Sequence, residues 1–237
     1  MAALRHPDDL LRVGTSAQSV LRPLELTAGL DAVFSSPIFG ARIDRQRVSA
    51  FGVSLGGVTV LAAAGGRMNG SLSAEHCSNN AQADLGFCVG KPSGELMPIW
   101  LRLRRAVCRV PPVNLDQDLY NRRFQLRVLA APAGLPFDDL SAVTVPVMLP
   151  RVGADVTLRF PYHAQRLHLL LIKPTRYEVI EGSHHYVFLS PFPDIITKEV
   201  GRPAQDPLGF DRRPFLNRMN AEIVRFFQGC FAAISGG

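Results

Sequence analysis

Residues 48–66, VSAFGVSLGGVTVLAAAGG, form an uncharged run holding five glycines. This run constrains the fold more than any other part of the chain. Its length passes a crude test for a membrane span, but the glycines together with Ser49, Ser54 and Thr59 fit that reading poorly. A short strand from Val48 to Phe51, a glycine-rich turn from Gly52 to Gly57 and an apolar helix from Val58 to Ala64, capped by Gly65-Gly66, explain it better. Within the turn, Gly52-Val53-Ser54-Leu55-Gly56 matches G-x-S-x-G, the spacing of a nucleophile elbow. A nucleophile on such a turn sits in strained backbone, and side chains two positions away would collide with neighbouring elements. The turn also brings Ser54 to a helix N-terminus, where free N–H groups favour developing negative charge. The bland alternative is a strand-to-helix turn that merely packs tightly.

Elsewhere, apolar residues Leu26, Leu30, Val33 and Phe34 recur at helical spacing over 24–34, and Pro37 and Gly40 end that helix. Residues 67–93 read as irregular. Leu96, Ile99, Trp100, Leu103, Val107 and Val110 mark one face of an amphipathic helix, with Arg102, Arg105 and Arg109 on the other. Strands are expected at 124–131, 145–149 and 176–180, with helices over 162–171 and 215–231. Strands alternating with helices imply a mostly parallel sheet flanked by helices, an α/β fold. With 237 residues, 47% hydrophobic and 19% charged, the chain suits one domain and excludes intrinsic disorder. Residues 67–123 are expected to form a lid-like insertion in that single domain, 1–237.

The 26 Lys+Arg against 20 Asp+Glu give a formal charge of +6, which permits nucleic-acid or membrane-surface binding without arguing for either. No nucleic-acid partner is expected. None of Cys77, Cys88, Cys108 and Cys230 forms a C-x-x-C pair, so no structural zinc site is expected. Cys77 and Cys88 could bridge each other in an exported protein or stay free. The N-terminus shows no apolar signal segment.

A serine nucleophile needs a base oriented by a carboxylate. In the chain order Ser, acid, His, the acid follows a later strand, as Asp155 does in VPVMLPRVGAD. The base follows the next strand, where His184-His185 succeed RYEVI. Asp138 and Asp139, after an earlier strand, are the alternative acids. His163 and His168 read as surface or packing residues, and His6 and His76 have no evident partner. Side chains at i and i+1 diverge, so His184 and His185 are not expected to share a metal.

With these residues in view, the chain resembles the α/β-hydrolase superfamily. Within it, the likeness is to predicted dienelactone-hydrolase-like and platelet-activating-factor-acetylhydrolase-like proteins. The residues that carry the resemblance are RIDRQRVSAFGVSLGGVTVLAAAGG, LAAPAGLPFDD, VTVPVMLPRVGAD, EGSHHYVFLSPFP and DPLGFDRRPFLNRMNAEIVRFF. It implies Ser54 as nucleophile, Asp155 as acid and, with Tyr186 aligned to an aromatic of the pattern, His185 as base. His184 then replaces a glycine. A serine where dienelactone hydrolases carry cysteine implies ordinary esters, small or lipid-like, cleaved without a metal or organic cofactor. Leu55 N–H would be one oxyanion-hole donor. The second usually comes from an H-G loop, and none precedes Ser54. The segment His6-Pro7-Asp8-Asp9 resembles a stretch beyond that loop, so the family's N-terminal strands are expected to be missing. Two other functions stay open at this point: a truncated or degenerate hydrolase fold acting as a binding module, and a protein resting on lipid through the Arg-rich helix.

Overall fold

Four strands carry the architecture: β1 (Val48–Val53), β3 (Phe124–Ala130), β5 (Val147–Val152) and β6 (Thr175–Ile180). In this computed structural model they form one sheet in the order β1-β3-β5-β6, and every pairing is parallel. Residues 16–88, 117–172 and 175–235 are described. The expected Arg-rich helix and the His6–Asp9 segment lie outside them.

A parallel sheet must be covered on both faces, and the alternation along β5 shows how. Val147 and Leu149 join a core that includes Val58, Leu61 and Ala62 of α2 (Leu55–Ala62), with Leu26 and Leu30 of α1 (Ser16–Phe34) packed against it. Met148 and Val152 join the opposite core with Val128, Ala130 and Ile180. Phe215 and Met219 of the last helix close that second face. The expected α/β layering with a mostly parallel sheet is therefore observed.

Several boundaries differ from expectation, for local reasons. α2 starts at Leu55 rather than Val58, because Ser54 already serves as its N-cap residue, its carbonyl accepting from Gly57 N–H at 2.9 Å. The stretch expected to be irregular holds β2 (Arg67–Met68), α3 (Gly70–Asn80) and α4 (Leu85–Cys88). Asn69 caps α3 by accepting from Ser71 N–H at 3.0 Å, and a Cys77–Cys88 disulfide ties the two helices. Of the two readings of that cysteine pair, the bridge is the one observed. Phe137–Asp139, outside the expected strands, is β4 and pairs antiparallel with β2. Two helices follow on either side of β6: α5 (Ala164–Leu170) before it and the unforeseen α6 (Asp194–Val200) after it. The last helix, α7, spans Arg212–Ser235. Its first turn is anchored by buried Arg212, whose guanidinium pairs with Asp206 and donates to the carbonyls of Pro203 (2.9 Å) and Gln205 (2.8 Å). Among the described residues no helix is long and apolar enough to cross a membrane.

Candidate active site

β1 delivers Ser54 at its C-terminal end with φ 54° and ψ −116°, a conformation that non-glycine residues rarely adopt. The neighbours hold it there. Ser54 N–H donates to Ala130 O at 2.9 Å, and Ser54 O accepts from Gly57 N–H. A serine at an N-cap ordinarily turns its hydroxyl back onto the helix; here no such side-chain bond forms. Leu55 N–H heads α2, where the first amides have no intrahelical acceptor.

The two outer glycines of the turn have different reasons to be there. A Cβ on Gly52 would lie 2.1 Å from Gly56 O, so this position admits no side chain. Gly56 faces open space, whereas at Gly57 a Cβ would meet Pro132 Cβ at 2.7 Å. The steric demand thus falls on Gly52 and Gly57, one residue beyond the G-x-S-x-G pattern.

Asp155 and His185 occupy the loops that leave the C-terminal ends of β5 and β6. His185 Nδ1 donates to Asp155 Oδ2 at 2.8 Å, and both side chains are nearly buried. The other oxygen, Asp155 Oδ1, accepts from the amides of Thr157 (2.8 Å) and Leu158 (2.9 Å). With Nδ1 donating, Nε2 is left as the acceptor of a neutral imidazole. The two loops are stitched together. Gly153 N–H donates to Ile180 O (2.9 Å) and Ala154 N–H to Ser183 O (2.9 Å). Beyond His185, Val187 packs in the same core as Ala130 and Ala131, and Val53 packs against that core. The residues beside Ser54 and His185 therefore share one apolar cluster. Among the described residues no hydrogen bond joins the Ser54 hydroxyl to His185.

His184 is occupied elsewhere. Its Nε2 donates to Gln205 O at 2.9 Å, and its Nδ1 accepts from Tyr186 N–H at 3.3 Å. Among the described residues neither alternative acid meets a histidine. Asp138 pairs with Arg67 at 3.3 Å, and Asp139 accepts from Ser141 N–H, a bond that holds its carboxyl below the usual range.

A second buried constellation has no counterpart in the sequence reading. His163, read as a surface or packing residue, is buried. Its Nδ1 accepts from Gly134 N–H at 3.2 Å and its Nε2 donates to Asp84 Oδ2 at 2.9 Å. His76, read as partnerless, donates from Nε2 to the same oxygen at 3.0 Å. Burial pushes the Asp84 carboxyl upward, but hydrogen bonding and charge at His163, the Arg159 amide and His76 outweigh this, and its pKa ends below the usual range. The sequence signal was thin: His76 adjoins Cys77 and Asp84 lies between Cys77 and Cys88, while His163 arrives from far along the chain. His168 stacks on Tyr177 at 4.4 Å, consistent with packing.

No protein-family model matches this sequence, and no curated protein does.

Proposed function

We propose that the chain has an α/β-hydrolase architecture and is a serine hydrolase that cleaves carboxylic esters. The observation that carries this reading is the Asp155–His185 hydrogen bond, formed by loops at the same end of the sheet at which β1 presents Ser54 in strained backbone. Serine on a sharp strand-to-helix turn, with acid and base on later loops, is the arrangement that two-step acyl transfer requires.

In that chemistry Ser54 Oγ bonds to the ester carbonyl carbon while its proton passes to His185 Nε2. The carbonyl π electrons move to oxygen, where Leu55 N–H donates to the developing charge. Collapse breaks the C–O bond to the alcohol, which takes the proton from His185 as it leaves. Water then repeats the sequence on the acyl-enzyme, releasing the acid and restoring Ser54. Asp155 keeps Nδ1 protonated and stabilises the imidazolium. The substrate class is a small or lipid-like ester, and the reaction as written uses no cofactor.

The test is hydrolysis of p-nitrophenyl esters over a range of acyl lengths, followed by stopped flow. The expected result is steady turnover that is lost in Ser54→Ala. Turnover that is equal in wild type and Ser54→Ala would contradict the proposal. A second reading, a hydrolase-like fold serving as a binding module, is favoured by one observation: β1 is an outer strand of the described sheet. A folded wild-type protein with no turnover on any ester would favour it.

A further inference from the structure

His76, Asp84 and Cys88 bring a nitrogen, a carboxylate oxygen and a sulfur within 4.8 Å of one another. In the state described, Cys88 is bonded to Cys77, and a disulfide sulfur carries no thiolate to offer a metal. We propose that this cluster is a redox-gated site for a borderline divalent cation of the zinc class, closed while the disulfide stands and opened by its reduction.

The donor set suits that class: imidazole and carboxylate accept zinc readily, and thiolate selects it over magnesium or calcium. Zinc–ligand bonds of about 2.0–2.3 Å place ligand pairs roughly 3.3–3.7 Å apart in a tetrahedron. His76 Nε2 and Asp84 Oδ2 already stand at 3.0 Å. The separations are at most 4.8 Å, so closing the set asks a shift of about 1 Å of the sulfur, which cleavage of the S–S bond permits.

The surrounding shell is what a metal site needs. His163, its tautomer fixed by the Gly134 amide, donates to Asp84 at 2.9 Å and orients the carboxylate. Asn80 Nδ2 lies 3.5 Å from His76 Nδ1. Once Nε2 binds metal, the ring proton moves to Nδ1, and the Asn80 amide can turn its oxygen to accept it. Three protein donors leave a fourth position for water.

Opening takes two electrons and two protons. A small dithiol reductant supplies both: it becomes a cyclic disulfide, and Cys77 and Cys88 become thiols. The cation then displaces the Cys88 thiol proton, forming the metal–sulfur bond and releasing H⁺. This site shares no side chain with Ser54, Asp155 or His185 and does not rest on the ester-hydrolase reading.

Cobalt(II) is the probe, because a thiolate–cobalt charge-transfer band reports the sulfur ligand directly. Cys77→Ser and Cys88→Ser lose the disulfide equally, but only Cys77→Ser keeps the ligand. One equivalent of cobalt with that band is expected in Cys77→Ser and in wild type reduced with a dithiol and desalted. Zinc should displace it. Oxidised wild type and Cys88→Ser should lack the band, with affinity at least tenfold weaker. Reduced wild type serves if Cys77→Ser does not fold. Absence of the band from both, or an equal band in Cys88→Ser, overturns the proposal.

Discussion

Asp155 holds the His185 imidazole with one oxygen and two backbone amides with the other, so an amide in its place keeps the shape and loses the charge. If Ser54, His185 and Asp155 act together as proposed, Asp155→Asn is expected to lower kcat by about 10³–10⁴-fold with little change in KM, the cost that a wrong tautomer carries in serine hydrolases. Steady-state kinetics on the best ester substrate measures it, and a loss under tenfold would remove Asp155 from the triad. Arg127 poses a different question. It is fully buried on β3; among the described residues its Nε and one terminal nitrogen have no hydrogen-bond partner, and its remaining terminal nitrogen donates to Leu126 O at 3.4 Å. Burial pushes its pKa down to about 10, with Tyr120 partly opposing. In the fold the charged form is therefore disfavoured. The penalty is present in full below pH 10 and fades as pH rises from there toward the ordinary guanidinium range, where the unfolded chain also loses the proton. Arg127→Met removes the unpaired donors while keeping much of the volume. It is expected to stabilise the protein by about 1–3 kcal/mol at neutral pH, read as a higher denaturant midpoint. A lower midpoint would mean that the guanidinium contributes more than its two unpaired nitrogens suggest.

At the scale of elements, the strand–turn–helix at β1 and α2 is the unit on which the site depends. Gly52→Ala drives a Cβ into the Gly56 carbonyl and is expected to cost about 3 kcal/mol or more. Gly56→Ala meets nothing within 4 Å and gains about 0.5–1 kcal/mol from helix propensity. Urea unfolding of the two variants checks the contrast, and equal effects would mean that the turn is not packed as described. This unit was legible in the sequence because its signals are local: an apolar run, glycines and a helix start fall within one window. The loops bearing Asp155 and His185 were legible too, because each follows a strand that its own composition announces. β2, β4 and the helices α3 and α4 were not. They have few buried apolar residues and are held by an Asn69 cap, a disulfide and one short antiparallel pairing. The Asp84 cluster was illegible for a related reason. His163 reaches it from 79 positions away, a distance that no periodicity encodes.

The molecule as a whole is a sheet with two covered faces and, within the described residues, β1 on one outer edge. That edge exposes Phe51, at 48% relative exposure. Strand edges with unpaired backbone and an apolar side chain favour pairing with other strands, and a lysine blunts them. Wild type is therefore expected to sediment as a concentration-dependent mixture, with Phe51→Lys shifted toward monomer. Identical profiles would show that this edge is not an association surface. The C-terminal end of β1 carries Ser54. Treatment of the folded protein with a fluorophosphonate, followed by peptide mass spectrometry, asks directly whether Ser54 is an activated nucleophile. The expected result is a covalent phosphonyl adduct on Ser54 that His185→Ala abolishes. Folded protein whose Ser54 peptide stays unmodified at saturating probe would contradict it.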